Sequence, residues 1–248
     1  MGKNILFIGV YGVEMVECGG AMAINARKGG RSFVSLMLTT KASQENVKAA
    51  AEALGIEKVY FNEFKHGEVA CDHAHKVALI KIIRETKPDV IITQDPEHCV
   101  SDLDPDRRPA MTLILESIAL ASRNTFAVDE LAGYEPHPIA NIYYMRPLNA
   151  NCTVNVAEVW DLKQKGLDAL EQQMEFSAKH YERKLSPKEI AILVPEFSES
   201  DSYYKKGRLI HGAVDKATHM HYGLGSHGKF VLAEPYRYEG IFELHELL

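Results

Sequence analysis

The chain has 248 residues, 46% of them hydrophobic and 25% charged, a balance typical of globular proteins and long enough to bury a sizeable core. Its formal net charge of −6, with no Lys/Arg run longer than a pair, excludes the basic footprint of a nucleic-acid binder, and no apolar run approaches the ~20 residues that span a bilayer. The four cysteines, Cys18, Cys71, Cys99 and Cys152, lack metal-type spacing and no signal-peptide pattern opens the chain, so the expectation is a cytoplasmic protein with reduced thiols.

In chain order, Asn4 to Val10 reads as a buried strand and Glu17 to Lys28 as an Ala-rich helix closed by Gly29-Gly30. Arg31 to Leu38 is a second strand. Ser43 to Leu54 is a helix with Ser43 as N-cap and Glu45 in its first turn, ended by Gly55. A short strand, Lys58 to Phe61, precedes an amphipathic helix, Val69 to Thr86, in which Cys71 and His75 share a face. A fourth strand, Asp89 to Thr93, follows Lys87-Pro88. This alternation predicts an α/β fold with a mainly parallel sheet and right-handed crossovers, a Rossmann-like three-layer sandwich. A helix over Ala110 to Ser122 comes next, then strands over Asn141 to Met145 and Thr153 to Val156. Trp160 to Arg183 reads as one long helix, and Pro187 to Val214 contains at least one more. His219 to Gly228, dense in Gly and His, reads as a loop before a short strand through Phe230 to Ala233. No repeat or linker divides the chain, which is read as one domain over residues 1–248.

Ligands of such sheets sit outside the carboxyl ends of the strands, which directs attention to two loops. The first is Tyr11-Gly12-Val13-Glu14, after the first strand. The second runs from Asp95 to Arg108, with five acids, one histidine and two arginines in 14 residues. As a solvated acidic turn, the second loop would only favour the start of the following helix. As a functional loop, it points Asp104, Asp106 and Arg107 into a cleft with His98 at the rim. Carboxylates and imidazole there could hold a divalent ion, or a guanidinium could hold a substrate carboxylate by paired bonds. His219 and His221 could reach the same cleft from the other side.

The stretches "ILFIGVYGVEMVECGGAMA", "DLDPDRRPAM", "LKQKGLDALEQQMEFSAKHY" and "GSHGKFVLAEPYR", in this order across nearly the whole chain, resemble the PIG-L/LmbE family of zinc-dependent N-deacetylases. The resemblance implies that fold, a small polar substrate and a zinc or other divalent ion. The family's first motif reads Ala-His-Pro-Asp-Asp and its second His-Pro-Asp-His. Its first His, second Asp and last His bind the metal, and the first Asp of the pair is the general base. The matching positions here are Tyr11, Gly12, Val13 and Glu14, then Asp104, Pro105, Asp106 and Arg107.

Two of three ligands are thus Tyr11 and Arg107, the third is Glu14, and the base position is Val13, which cannot move a proton. A catalytic zinc needs about three protein ligands, and arginine stays protonated and cannot ligate. One expectation is therefore that Arg107 stands at the metal position, paired with Glu14; the other is a rebuilt metal set that includes Glu14. "AEVWDLKQKGLDAL" and "LAEPYRYEGIF" are more similar to the 4-oxalomesaconate hydratase branch of the same fold. The functional expectations are a hydrolase of the N-deacetylase type, a hydratase of an unsaturated carboxylic acid, or a non-catalytic ligand-binding protein. Catalytic roles fall to Tyr11, His98, Asp104, Asp106 and Arg107, and substrate binding to Arg107, Arg108, His219 and His221. The partner is a small molecule, with neither nucleic acid nor membrane; a homo-oligomer stays open.

Overall fold

The structure is a computed structural model and describes residues 2–239. Five strands are parallel: β1 (Asn4–Gly9), β2 (Arg31–Leu36), β3 (Lys58–Phe61), β4 (Val90–Gln94) and β5 (Asn141–Met145). Two more, β6 (Cys152–Asn155) and β7 (Ala233–Glu239), complete the order β3-β2-β1-β4-β5-β7-β6, with β7 antiparallel to both neighbours. The order reverses at β1, whose partners are β2 and β4. The gap above the β1 and β4 carboxyl ends is therefore the topological switch point, where this architecture opens a crevice.

Strand side chains alternate between two buried layers, as a sheet covered on both faces requires. Ile5, Phe7, Val34 and Leu36 pack into one layer with α1 (Gly12–Glu17), α2 (Gly19–Arg27), α3 (Lys41–Ala53) and α7 (Trp160–Ala169). Leu6, Ile8, Phe33 and Ile91 pack into the other with α4 (His73–Thr86) and α6 (Arg107–Ala121). A short helix, α5 (Pro96–Ser101), lies in the acidic loop. The helices α8 (Glu171–Lys184), α9 (Pro187–Leu193) and α10 (Tyr203–Tyr222) complete the chain order before β7. Among the described residues no helix is long and apolar enough to cross a membrane.

Several expected elements fall differently, each for a local physical reason. The α3 cap is Thr40, whose Oγ1 accepts the Ser43 N–H at 3.2 Å, so Ser43 sits inside the first turn. The α4 cap is Asp72, which leaves Val69 and Cys71 outside the helix. The expected long helix divides at Leu170, because that side chain turns into the core and Asn46 Nδ2 donates to the freed Ala169 carbonyl at 2.9 Å. α10 runs on through His219 and His221 to stop before Gly223, so both histidines are helical. The last strand starts at Ala233, and Phe230 and Val231 are exposed ahead of it. Gly240, Ile241 and Phe242, the end of the stretch similar to the hydratase branch, lie outside the described residues.

The expected helix Glu17 to Lys28 starts at Gly19 as α2, and the stretch read as a loop ahead of it is itself a helix, α1, which ends at Glu17, with the break at Cys18. A helix break leaves carbonyls and N–H groups unpaired, and here both sets meet one buried ion pair. Lys163 Nζ donates to the Val16 and Glu17 carbonyls at 2.7 and 2.8 Å and to Glu234 at 2.7 Å. Glu234 in turn accepts the Gly20 and Ala21 N–H groups at 2.7 and 2.8 Å. A Cβ on Gly20 would come within 2.7 Å of that carboxylate and 2.5 Å of Val156, so this glycine is required by close approach.

Candidate functional site

The short α1 turns on Glu14. Its Oε2 accepts the backbone N–H groups of Val10 and Tyr11 at 2.7 and 3.2 Å, reaching back to the strand end it leaves. Its Oε1 takes no aligned hydrogen bond among the described residues and is answered by charge, the Arg107 guanidinium Nη1 at 2.6 Å. Burial pushes the Glu14 carboxyl up and Arg107 opposes that rise. Arg107 comes from the first turn of α6, where Gln94 Nε2, at the end of β4, donates to the Arg107 carbonyl at 3.0 Å. The loops after β1 and β4 thus meet through one ion pair at the switch point.

Around this pair, Arg107 Nε lies 3.3 Å from Asp102, and its guanidinium sits 5.5 Å from the Tyr11 ring centroid. The Tyr11 hydroxyl donates to Asp104 at 2.7 Å; burial first, then Asp104, pushes it well above the ordinary phenol range. The crevice opens beside Glu14, Gln94, His98 and Arg107 and continues past a second ion pair, Arg146 with Glu17 at 2.6 Å. Arg146 holds a left-handed backbone, φ +46°, unusual for a residue with a side chain. Two cavities share the Arg146 wall with the crevice, an outer vestibule of about 420 Å³, walled by His98, Thr218 and His221, and an inner chamber of about 90 Å³, walled by His211, Asp215 and His219.

The expected site residues divide accordingly. Tyr11, Glu14 and Arg107 converge, and His98 and His221 line the crevice. Asp104 serves as acceptor for Tyr11 and for the Asp106 N–H. Asp106 does not point into the cleft: it is buried, and its carboxylate accepts the Gly67 and Val69 N–H groups and pairs with His66 Nδ1 at 2.7 Å. Unpaired backbone donors in the loop after β3 claim it. Arg108 turns outward and donates to the Asp102 carbonyl. His219 is buried against Trp160, with Nδ1 on the Asp215 carbonyl at 2.7 Å.

Residues that sequence reading missed are Gln94, Arg146, His211 and the Lys163–Glu234 pair. The pattern His211-x3-Asp215-x3-His219 was the available signal, since i, i+4, i+8 spacing puts three polar groups on one helix face. Reading the end of α10 as a loop concealed it.

Zinc, implied by the sequence resemblance, does not fit these residues. Glu14 already faces a guanidinium, the Tyr11 hydroxyl is committed to Asp104, and no group of three or more His, Cys, Asp or Glu side chains suited to a metal ion occurs among the described residues.

No family model matches the chain. It is 26% identical over 130 residues to the diacetylchitobiose deacetylase of Thermococcus kodakarensis, a stretch covering 52% of this chain and 48% of that protein. The chain thus spans about half the length of that curated relative. Among solved structures it is similar to the N,N'-diacetylchitobiose deacetylase of Pyrococcus horikoshii, with a TM-score of 0.71 at 19% identity over 95% of this chain and 83% of that one. It is also similar to the 4-carboxy-2-hydroxymuconate hydratase of Pseudomonas putida KT2440, with a TM-score of 0.66 at 19% identity over 98% and 99% of the two chains. Likeness at this level establishes architecture: the chain has the Rossmann-like α/β sandwich shared by these deacetylases and this hydratase.

Proposed function

We propose that this protein binds, and acts on, a small carboxylated or sugar-like molecule in the switch-point crevice, with the Arg107 guanidinium as its fixed cation. The observation that carries this reading is the 2.6 Å pair between Arg107 and the buried Glu14. Arginine keeps its charge at any physiological pH and presents several donors in one plane. Nε and Nη1 face Asp102, Glu14 and Gln94, while Nη2 donates no hydrogen bond to a described residue. That edge is the one a ligand oxygen would meet.

The reaction class follows from the groups at hand. Burial holds the Cys18 thiol well above its ordinary range and pushes Cys99 up to about 12, so neither supplies a thiolate nucleophile. The Thr218 hydroxyl donates to the Val214 carbonyl at 3.0 Å. Acid–base chemistry on water is what these side chains support, either hydrolysis of an N-acyl group of the deacetylase type or addition of water to an unsaturated acid. The remaining Nη2 edge is a charged donor, which bonds an anionic carboxylate oxygen more strongly than a neutral carbonyl oxygen, and this favours the hydratase-type reading. Binding without turnover across amides, N-acetyl sugars and unsaturated acids would leave a ligand-binding protein.

Metal content by plasma mass spectrometry, on protein purified without a metal-affinity tag, is paired with calorimetric titration of malonate and N-acetylglucosamine. The expected result is metal far below one equivalent and an interaction weakened by about 10- to 100-fold in Arg107→Met, the loss of one charged hydrogen-bonded contact. Near one equivalent of a transition metal, lost in Glu14→Ala, would overturn the reading.

A further inference from the structure

Among the titratable side chains that wall the crevice, His211 differs from the rest. It is half-buried on α10 in the wall of the inner chamber, and its imidazole makes no hydrogen bond, ion pair or ring contact among the described residues. Each of its neighbours holds at least one partner. Glu17 and Arg146 hold each other at 2.6 Å. Glu234 is claimed by Lys163 and two backbone N–H groups. His219 is fixed through Nδ1 on the Asp215 carbonyl, with its Nε2 buried 3.9 Å from Glu234, and Arg208 is held on Asp168 at 2.5 Å.

A half-buried imidazole with neither nitrogen hydrogen-bonded to a described residue, in a chamber that shares Glu17 and Arg146 with the crevice, has no structural partner among the described residues. The titratable and charged groups facing it are Glu17 from α1, Arg146 after β5, Glu234 from β7, and Arg208, Asp215 and His219 on its own helix. The Cys18 thiol and the Tyr181 and Tyr236 phenols complete the wall. Burial outweighs the two nearest acids, Glu17 and Asp215, and holds His211 below the ordinary histidine range, hence neutral near pH 7. A carboxylate arriving beside Arg146 adds a negative charge within reach of that ring, and a neighbouring negative charge favours the imidazolium.

We propose that His211 is the proton acceptor of the crevice: it faces the bound ligand and takes up a proton when a small dicarboxylate docks with one carboxylate on Arg107 and the other beside Arg146. This rests on the carboxylate reading of the crevice and adds a named proton site to it. The neutral ring is poised to withdraw a proton from water or ligand, and the imidazolium to return it.

Malonate is titrated into the parent calorimetrically near pH 7 in MOPS and in Tris, whose different ionisation enthalpies reveal protons bound. The expected result is uptake approaching one proton per malonate, with affinity rising by up to about tenfold for each pH unit lowered. In His211→Gln the uptake and the pH dependence disappear. The imidazole signals of His211 in the parent, followed by NMR with and without malonate, read the same event without a variant and are expected to titrate at higher pH in the complex. Malonate binding that depends on Arg107 but brings no proton to His211 would overturn this inference alone. Malonate that fails to bind the parent, or binds Arg107→Met equally well, would overturn the carboxylate reading and this inference with it.

Discussion

Replacing Arg107 by Met removes the one cation within ion-pair distance of Glu14 Oε1 among the described residues while keeping most of the side-chain volume. Glu14 is 2% exposed, so water cannot take over, but its other oxygen retains the Val10 and Tyr11 N–H groups. Breaking one partner out of a buried pair costs about 3–5 kcal/mol, and the two remaining backbone bonds put this case at the low end, about 3 kcal/mol. At about 2–4 °C per kcal/mol for a chain of this size, Tm falls by about 6–12 °C. The loss also carries a pH signature. Burial raises the Glu14 carboxyl, and Arg107 is the first influence opposing that rise. Without Arg107 the folded state binds a proton at pH values where the unfolded chain has released it, so the deficit against the parent is largest in alkaline solution. It shrinks as pH falls toward the ordinary glutamate range. Scanning calorimetry of both proteins from about pH 8 to about pH 5.5 measures it. A Tm within about 2 °C of the parent, or a deficit that does not shrink on acidification, would refute the assignment of Arg107 as the counter-charge of Glu14.

Lys163→Met leaves Glu234 buried without its cation and frees the Val16 and Glu17 carbonyls; urea unfolding should show a loss of about 3–5 kcal/mol, and a loss below about 1 kcal/mol would show the pair to be dispensable. Burial acts against the charged form of Glu234, yet Lys163 and His219 outweigh it and lower the carboxyl to about 2. Its contribution is present above the ordinary glutamate range and is lost as pH falls toward about 2. Glu234→Gln should therefore be less stable than the parent at neutral pH and show a shallower acid limb; parallel acid limbs would contradict this. Gly20→Ala forces a methyl to within 2.5 Å of Val156 and 2.7 Å of Glu234, and should lower stability by about 1–3 kcal/mol in the same assay. A neutral effect would mean that α2 can withdraw from the pair.

The sequence by itself determined the elements whose signal is local. The cores of the first and fourth strand runs, Ile5 to Ile8 and Val90 to Ile92, are apolar without interruption because a parallel strand covered on both faces buries the side chains of both, and such runs read as strands in isolation. Their alternation with helices sets the crossovers, and hence the two loops at the switch point. Tyr11, Glu14 and Arg107 were legible as the odd residues in those loops.

Only the tertiary structure decided what depends on partners far along the chain. Cys18 breaks a helix because Lys163 and Glu234, 145 or more residues away in the sequence, satisfy the groups that the break exposes. Asp106 leaves the cleft because the loop after β3 presents backbone donors to it. Arg146 enters the crevice on a backbone conformation that no spacing rule forecasts. His211, without a hydrogen bond among the described residues, faces a chamber that α10 and β7 wall together. Each outcome is a competition for a hydrogen bond or a counter-charge between segments distant in sequence, and that competition is resolved only when the sheet brings them together.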